Sequence, residues 1–185
     1  MLAPGLTLPA PLPAIDSPAG GAPRRLDEVR FEALYRRTAS ALWSYLYRMT
    51  GDAAAADDLM QKAFFRLLRA NPVLASDEHA RRWIFKTATN LAFDYFRETK
   101  RERGHVVDMK EALSSESREL RHDMMRTFAE LKPRDRALLW LAHVEEEDHD
   151  SIGEALGVKS GSVRVLLFRA RKKLAELLTK KGLAP

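Results

Sequence analysis

The residues best suited to chemistry lie near the carboxyl end of the chain, and that chemistry is the recognition of a polyanion. Residues 158–182 contain eight Lys or Arg and one acidic residue. Lysine and arginine hold phosphates, and arginine also reads base edges in a DNA groove. The net charge of +5 and the sequence pI of about 9.6 favour the same kind of partner. This stretch is therefore the first candidate for a nucleic-acid site.

A helix-turn-helix is the element that would position these cations. Residues 151–156 predict a short first helix, Gly157 predicts a left-handed turn, and Ser160 or Ser162 can cap the second helix. Apolar residues recur along the second helix at steps of three and four and so share one face: Val163, Leu166, Leu167, Ala170, Leu174 and Leu177. The opposite face carries Gly161, Val165, Phe168 and Lys172. Exposed Val165 and Phe168 would contact thymine methyls or, alternatively, pack on another protein surface.

A second basic surface is predicted on a long helix in the first half of the chain. Residues 80–104 contain seven Lys or Arg and three acidic residues. One face of this helix is apolar, with Ile84, Ala88, Leu91 and Tyr95, and another side carries Trp83, Lys86, Asn90 and Arg97. An aromatic ring, an amide and cations suit single-stranded DNA, or duplex that is being opened. The alternative is that Trp83 belongs to the core and the charges form a solvated helix end.

The sequence contains no arrangement typical of a catalytic site. There is no Ser/His/Asp or Cys/His set and no phosphate-binding glycine loop, and the adjacent Asp57 and Asp58 point in different directions on a helix. The chain has no cysteine, no apolar run long enough to cross a membrane and no signal-peptide pattern. We expect a cytoplasmic protein that is not an enzyme, uses no cofactor or metal, and does not insert into a membrane.

An acidic segment interrupts the basic second half of the chain. Six acidic residues and no Lys or Arg fall within residues 145–154. His143 and His149 add suitable metal ligands, but the spacing matches no compact zinc or calcium loop, so a solvated turn is the favoured interpretation. Because the segment would repel phosphate, we expect it to face away from DNA or to meet a basic partner.

The organisation predicted from these patterns is all-α, with two small helical domains joined by a flexible linker. The predicted segments are a disordered Pro/Ala/Gly-rich tail (1–25), a first domain (26–103), a linker (104–121) and a second domain (122–185). Within them, helices are expected over 27–50, 53–69 and 78–103, and a further helix is expected to start at Pro133.

Several motifs in this order resemble the extracytoplasmic-function (ECF) sigma factors, the compact specificity subunits of bacterial RNA polymerase. Residues 31–35 (FEALY), 57–64 (DDLMQKAF) and 80–97 (ARRWIFKTATNLAFDYFR) are similar to the sigma-2 domain of that family. Residues 131–136 (LKPRDR), 161–164 (GSVR) and 168–174 (FRARKKL) are similar to its sigma-4 domain. The resemblance covers residues 29–178 approximately and implies the same two-domain helical fold.

The resemblance also implies partners and site residues. The partners would be core RNA polymerase, promoter DNA and an anti-sigma factor. Contact with the clamp helices of the largest polymerase subunit would come from Asp57, Asp58, Gln61 and Lys62. The −10 element would bind with a flipped-out base near Leu74 and Asn90, aided by Arg81, Arg82, Trp83, Lys86 and Arg97. The −35 duplex would be read by Ser160, Gly161, Ser162, Arg164, Val165, Phe168, Arg169, Arg171 and Lys172.

Two departures from the family pattern and one alternative function accompany this interpretation. Lys62 stands where the family usually has an acidic residue, and Val165-Leu166 replaces a usual Ser-Arg pair. The alternative function is a free-standing helix-turn-helix regulator. Such a regulator would carry a ligand cavity or a dimer seam within residues 26–103.

Overall fold

The computed structural model describes residues 25–103 and 116–183. These residues form seven α-helices: α1 (Glu28–Thr50), α2 (Ala53–Ala70), α3 (Asp77–Arg103), α4 (Glu116–Ala129), α5 (Pro133–His143), α6 (His149–Leu156) and α7 (Ser160–Lys180). The all-α prediction is confirmed, and the predicted bounds of the first three helices agree with α1–α3 to within one residue. The predicted tail, apart from Arg25, and residues 104–115 of the predicted linker lie outside the described residues.

Local capping interactions explain why the helix ends could be predicted from the sequence. The Asp27 carboxylate accepts a hydrogen bond from the Arg30 N–H (2.8 Å), and Asp52 accepts from two N–H groups at the start of α2. Gly51, between α1 and α2, has φ of 72°, the left-handed conformation that suits glycine. Pro133 occupies the first turn of α5 as expected.

Helices α1, α2 and α3 pack together around an apolar core. Its largest buried side chains are Leu42, Tyr45, Leu46, Met49, Leu67, Leu74, Ile84 and Phe85. The Thr89 hydroxyl donates to the Phe85 carbonyl oxygen and therefore accepts from the Tyr45 hydroxyl, 2.8 Å away. Burial raises the pKa of Tyr45, so this phenol stays protonated and its hydrogen bond is maintained.

The helix-turn-helix forms from α6 and α7 and packs on α5. Gly157 has φ of 64° and ends α6 as predicted. The predicted serine cap is wrong: the N-cap position of α7 is Lys159, which makes no side-chain cap, and α7 begins at Ser160. The backbone of α7 instead starts very close to α6. A Cβ added to Gly153 would lie 2.8 Å from the Val158 carbonyl oxygen, so only glycine fits this crossing without movement.

The two halves of the chain pack against each other. Helix α3 contacts α5 and α6, α1 contacts α4 and α5, and one buried apolar cluster contains residues of both halves. Helix α4 begins at Glu116, so the second helical half starts before the predicted limit at residue 122. Surfaces of both halves are therefore partly buried where the halves meet.

Arg136 lies buried at the junction between the halves. Its guanidinium stands 5.1 Å from the centre of the Phe96 ring, and within the described structure its buried Nε has no hydrogen-bond partner. Burial lowers the pKa of Arg136 to about 10, so the side chain stays charged at neutral pH. A buried charge without a carboxylate partner opposes folding, even where a cation–π contact offsets part of its desolvation.

We therefore expect Arg136→Met to raise the free energy of unfolding by about 1 kcal/mol, because methionine fills the same space without a buried charge. Urea denaturation followed by circular dichroism measures this change. Arg134→Met, at an exposed position two residues earlier, is the control and should change stability little. A loss of stability specific to Arg136→Met would show that the guanidinium stabilises the junction.

Candidate nucleic-acid interface

The outer face of α7 is exposed and basic. Val163, Leu167 and Ala170 are buried, and the predicted apolar stripe is thereby confirmed. On the opposite face, 50% of Val165 and 67% of Phe168 are exposed, so these apolar side chains do not pack inside the protein. Exposed apolar groups between cations can meet the methyl groups of thymine in a major groove.

Three cations of α7 are available to a ligand. Arg164, Arg169 and Lys172 are exposed, and none of them has a hydrogen-bond or ion-pair partner among the described residues. Arg171 Nε donates to His143 Nε2 over 3.0 Å at the end of α5. The first turn of α7 is also open: Gly161 and Ser162 are exposed, Ser160 is half-buried, and a Cβ at Gly161 would meet nothing within 4 Å. A phosphate can approach this turn closely, although the Ser162 N–H already donates to the Lys159 carbonyl oxygen (2.9 Å).

A second exposed surface runs along α2. Asp57, Asp58, Gln61 and Lys62 are exposed. Asp57 accepts a hydrogen bond from Trp43 Nε1 (2.7 Å), and Lys62 forms an ion pair with Asp58 (2.6 Å) one turn earlier. Phe65 and Leu68, which follow Gln61 at steps of four and three, are 62% and 49% exposed. Sequence reasoning missed these two, although their spacing places them on the Gln61 face.

Two residues predicted for the α3 site are core residues. Trp83 is 6% exposed and Leu74 is 1% exposed, so neither ring stacking by Trp83 nor a pocket lined by Leu74 is available in this structure. The physical reason is that α3 buries several of its faces, because it contacts helices of both halves. Asn90 is half-buried, and Arg97 is exposed and paired with Asp94.

The acidic segment contacts the basic residues of α3, which corrects the prediction of a solvated turn. Four acidic side chains of this segment pair with three basic side chains of α3. Arg81 and Arg82 share Glu147 and also contact Glu145 and Asp148, respectively, and Lys86 pairs separately with Glu154. We call these contacts together the ion-pair cluster. The side chains of Glu145 and Glu147 are only 5% and 6% exposed. The basic partner that we allowed for this segment lies within the chain itself.

The geometry of the ion-pair cluster is closest at Arg81 and Lys86. Arg81 Nη1 lies 2.5 Å from Glu147 Oε1, and Arg81 Nη2 pairs with Glu145. Lys86 Nζ lies 2.9 Å from Glu154 Oε1, whereas the contacts of Arg82 are longer, at 3.7–3.8 Å. Burial raises the pKa of Glu147 in spite of the neighbouring arginines.

Other kinds of site find no support in the described part of the chain. No group of His, Cys, Asp and Glu among residues 25–103 and 116–183 has the arrangement of a metal site. None of the described helices is long and apolar enough to span a membrane. A groove of about 530 Å³ is open to solvent and lies between α1 and α5, lined by Trp43, Tyr47, Trp140 and Val144 among others.

Comparison with known protein families assigns each half of the chain to a region of one family. The family profile described as Sigma-70 region 2 matches residues 34–102, and the profile described as Sigma-70, region 4 matches residues 121–174. Together they match about two thirds of the chain. The chain belongs to the sigma-70 family. Region 2 of this sigma-70 protein therefore comprises most of α1–α3, and region 4 comprises α5, α6 and most of α4 and α7.

Curated relatives identify the group within the sigma-70 family. The ECF RNA polymerase sigma factor SigE of Mycolicibacterium smegmatis is 29% identical over 81% of this chain and 62% of its own length. The RNA polymerase sigma factor CarQ of Myxococcus xanthus is 27% identical over 80% of this chain and 88% of its own length. This sigma-70 protein spans less than two thirds of the length of the SigE relative. The resemblance to ECF sigma factors is confirmed by these relatives.

Solved structures share the fold. Sigma factor RpoE of Bartonella quintana, in complex with the anti-sigma factor NepR, has a TM-score of 0.68 and 19% identity, covering 80% of this chain and 96% of that one. CnrH, in complex with the cytosolic domain of CnrY, has a TM-score of 0.64 and 21% identity, covering 83% and 90%. The sigma-70 protein described here therefore has the same overall helical architecture as these two chains.

Proposed function

We propose that this chain is a promoter-specificity subunit that binds core RNA polymerase, recognises the −35 and −10 promoter elements, and promotes the initiation of transcription in the cytoplasm. The observation that carries the proposal is the outer face of α7. There, exposed Phe168 lies between Arg164 and Arg169 on the second helix of a helix-turn-helix, within a sigma-70 fold. Neither arginine has a hydrogen-bond or ion-pair partner among the described residues. The subunit itself makes and breaks no covalent bond and needs no cofactor.

The −35 element would be read as duplex by α7. The second helix of a helix-turn-helix enters the major groove with its amino-terminal residues toward the bases. Arg164 and Arg169 have the planar donors that bind guanine bidentately, while Val165 and Phe168 offer apolar contact to thymine methyls. Arg171 and Lys172, with the open first turn at Ser160, Gly161 and Ser162, would hold phosphates. The Val165-Leu166 departure predicts a base preference unlike that of members with Ser-Arg.

The −10 element would be taken as a separated strand by α3. Asn90 would hydrogen-bond the edge of a flipped-out base, while Arg81, Arg82 and Lys86 would bind phosphates and Arg97 would extend this surface. Leu74 and Trp83 would act indirectly, because these core residues fix the position of α3.

Asn90→Ala is expected to reduce opening of the −10 region severalfold while leaving binding to closed duplex nearly unchanged. The amide is useful only once a base has left the stack. Permanganate reactivity of −10 thymines measures opening, and a band-shift assay measures closed binding, both with the polymerase holoenzyme. Asn90→Asp is the matched variant, since it keeps the volume but repels phosphate. Undiminished permanganate reactivity in Asn90→Ala would contradict the role of the amide.

Binding to core polymerase would use the exposed face of α2. Asp57, Asp58, Gln61 and Lys62 supply polar contacts, and Phe65 and Leu68 add exposed apolar area on the same helix. Lys62 lies 2.6 Å from the Asp58 carboxylate, so it neutralises that charge and makes the face less acidic than the family pattern. Apolar contact would then supply a larger share of the affinity.

An anti-sigma factor is the expected regulator. RpoE and CnrH, whose folds this chain shares, were solved in complex with NepR and with the cytosolic domain of CnrY. A partner of this kind would inhibit the subunit by covering the face of α2 or by holding its two halves together.

The first test is binding to bacterial core RNA polymerase followed by transcription in vitro on genomic fragments. We expect a stable complex and new start sites preceded by shared −35 and −10 sequences. Gln61→Ala combined with Phe65→Ala should weaken the complex. Arg36→Ala, at an exposed position of α1 outside the α2 face, is the control and should leave the complex unchanged. Sequence-specific duplex binding without any affinity for core polymerase would favour the free-standing regulator instead.

A further inference from the structure

The ion-pair cluster occupies the donors that a nucleic-acid strand would need. A guanidinium presents its N–H groups in a planar fork, and both ends of the Arg81 fork are occupied by carboxylates, those of Glu145 and Glu147. Lys86, five residues further along α3, binds Glu154. While these contacts persist, a phosphate must compete with a carboxylate for each of these two side chains.

The acidic segment, residues 145–154, which we now call the acidic turn, is held in place by hydrogen bonds to α5. The Glu145 N–H donates to the Trp140 carbonyl oxygen (3.2 Å), and the Glu147 N–H donates to the Leu141 carbonyl oxygen (2.9 Å). The indole N–H of Trp140 also donates to Glu145 Oε1 (2.9 Å). Anchored at the end of α5, the turn presents its carboxylates to α3 at defined positions, much as a nucleic-acid backbone presents phosphates.

We propose that the acidic turn, residues 145–154, is a built-in competitor for nucleic-acid phosphates that keeps the α3 site closed until the two halves separate. The inference rests on the proposed function for the identity of the strand. This autoinhibition goes beyond the proposed function, because the chain regulates its own −10 site without an added inhibitor. Arg164, Arg169 and Lys172 of α7 stay exposed in the same structure. The closed form is therefore blocked at one DNA site and open at the other.

Closure lowers the apparent affinity of the α3 site by the fraction of molecules that are open. Carboxylates with 5–6% exposure are screened little by salt, so the block persists under physiological conditions. Removing the charge of the competing carboxylates shifts the population toward the open form and frees the cations of α3 for phosphate. The predicted result is tighter binding with a steeper salt dependence.

The test uses a fluorescent dT20 oligonucleotide, because phosphate contacts do not depend on sequence. The full-length chain with Glu147→Gln and Glu154→Gln should bind about tenfold more tightly than the unchanged chain at low salt. Each phosphate contact contributes about −0.7 to the slope of log K against log salt for single strands. Glu145 and Asp148 still pair with Arg81 and Arg82 in this variant, so it frees Lys86 and one end of the Arg81 fork, and the slope should steepen by about 1.4.

The matched control is Glu146→Gln with Asp150→Asn. Both side chains are exposed and lie outside the ion-pair cluster, and the double change raises the net charge equally. This control should keep the original slope and change the affinity by less than about twofold. Equal slopes and affinities in the two double variants would overturn the proposal. Circular dichroism and thermal melting of both variants establish that the helices remain folded.

A second measurement detects the closed form directly. Because Lys86 Nζ and Glu154 Oε1 are 2.9 Å apart, a zero-length carbodiimide reagent should join them as an amide, which mass spectrometry identifies. The linked peptide should appear in the free chain and diminish when dT20 is added. Its absence from the folded, free chain would overturn the proposal. The chain could fail to bind core polymerase and still show the changes in dT20 binding and the Lys86–Glu154 cross-link. That result would refute the proposed function but support the role of the acidic turn as a competitor for phosphates.

Discussion

Replacing Gly153 by alanine is expected to destabilise the helix-turn-helix half by about 1–3 kcal/mol. Inside a helix, alanine normally stabilises relative to glycine by up to ~1 kcal/mol. Here the added Cβ would lie 2.8 Å from the Val158 carbonyl oxygen and 3.2 Å from Ser160 Cα. Both are backbone atoms, so they do not yield as a flexible side chain would. Helices α6 and α7 must move apart to admit the methyl group.

The other helical glycine of this motif provides the control. A Cβ at Gly161 would meet nothing within 4 Å, so Gly161→Ala should leave stability unchanged or raise it by a few tenths of a kcal/mol. Urea denaturation midpoints of the two variants should thus move in opposite directions. Shifts of the same sign and size would contradict the close crossing of α6 and α7. A displaced α7 should also weaken duplex binding in Gly153→Ala.

Arg164→Ala and Arg169→Ala are expected to relax discrimination at the −35 element by about 1–3 kcal/mol each, if each arginine reads a guanine bidentately. Both side chains are exposed and unpaired among the described residues, so their loss removes no internal contact. The measurement is transcription by the holoenzyme from promoters with single substitutions across the −35 element. Each variant should lose preference at one or two base pairs and keep the rest.

Two further variants separate base reading from general charge. Lys172→Ala should weaken binding to all sequences alike and reduce the salt slope by about 1, as loss of a phosphate contact does. Arg126→Ala, at an exposed position on α4, removes the same charge away from α7 and should change neither selectivity nor slope. Unaltered −35 selectivity in both Arg164→Ala and Arg169→Ala would exclude these residues from base reading.

The fold could be predicted closely because its signals are local. The caps at Asp27 and Asp52, the left-handed glycines at positions 51 and 157, and Pro133 mark helix ends independently of tertiary packing. The apolar stripe of α7 was also readable, since helical period alone decides which residues share a face. Exposure of Phe168 followed from the same geometry.

The parts of the site that could not be predicted depend on distant contacts. Helical period placed Trp83 beside Lys86, but it does not say how many faces of α3 are covered by other helices. The contacts of Arg81 with Glu145 and Glu147 join residues 64 and 66 positions apart. A run of acidic residues normally indicates solvent exposure. Only the packing of α6 on α3 turns that run into an internal partner.

The ion-pair cluster also bears on whether region 2 and region 4 of this chain are interchangeable modules. A chimaera that joined α1–α3 to the second half of another protein, one without acids at positions 145 and 147, would leave Arg81 without its partners across the junction. The reverse chimaera would bury carboxylates without cations. Successful recombination would thus depend on matched charge at the junction more than on linker length, and substitutions at positions 81, 145 and 147 should covary during divergence.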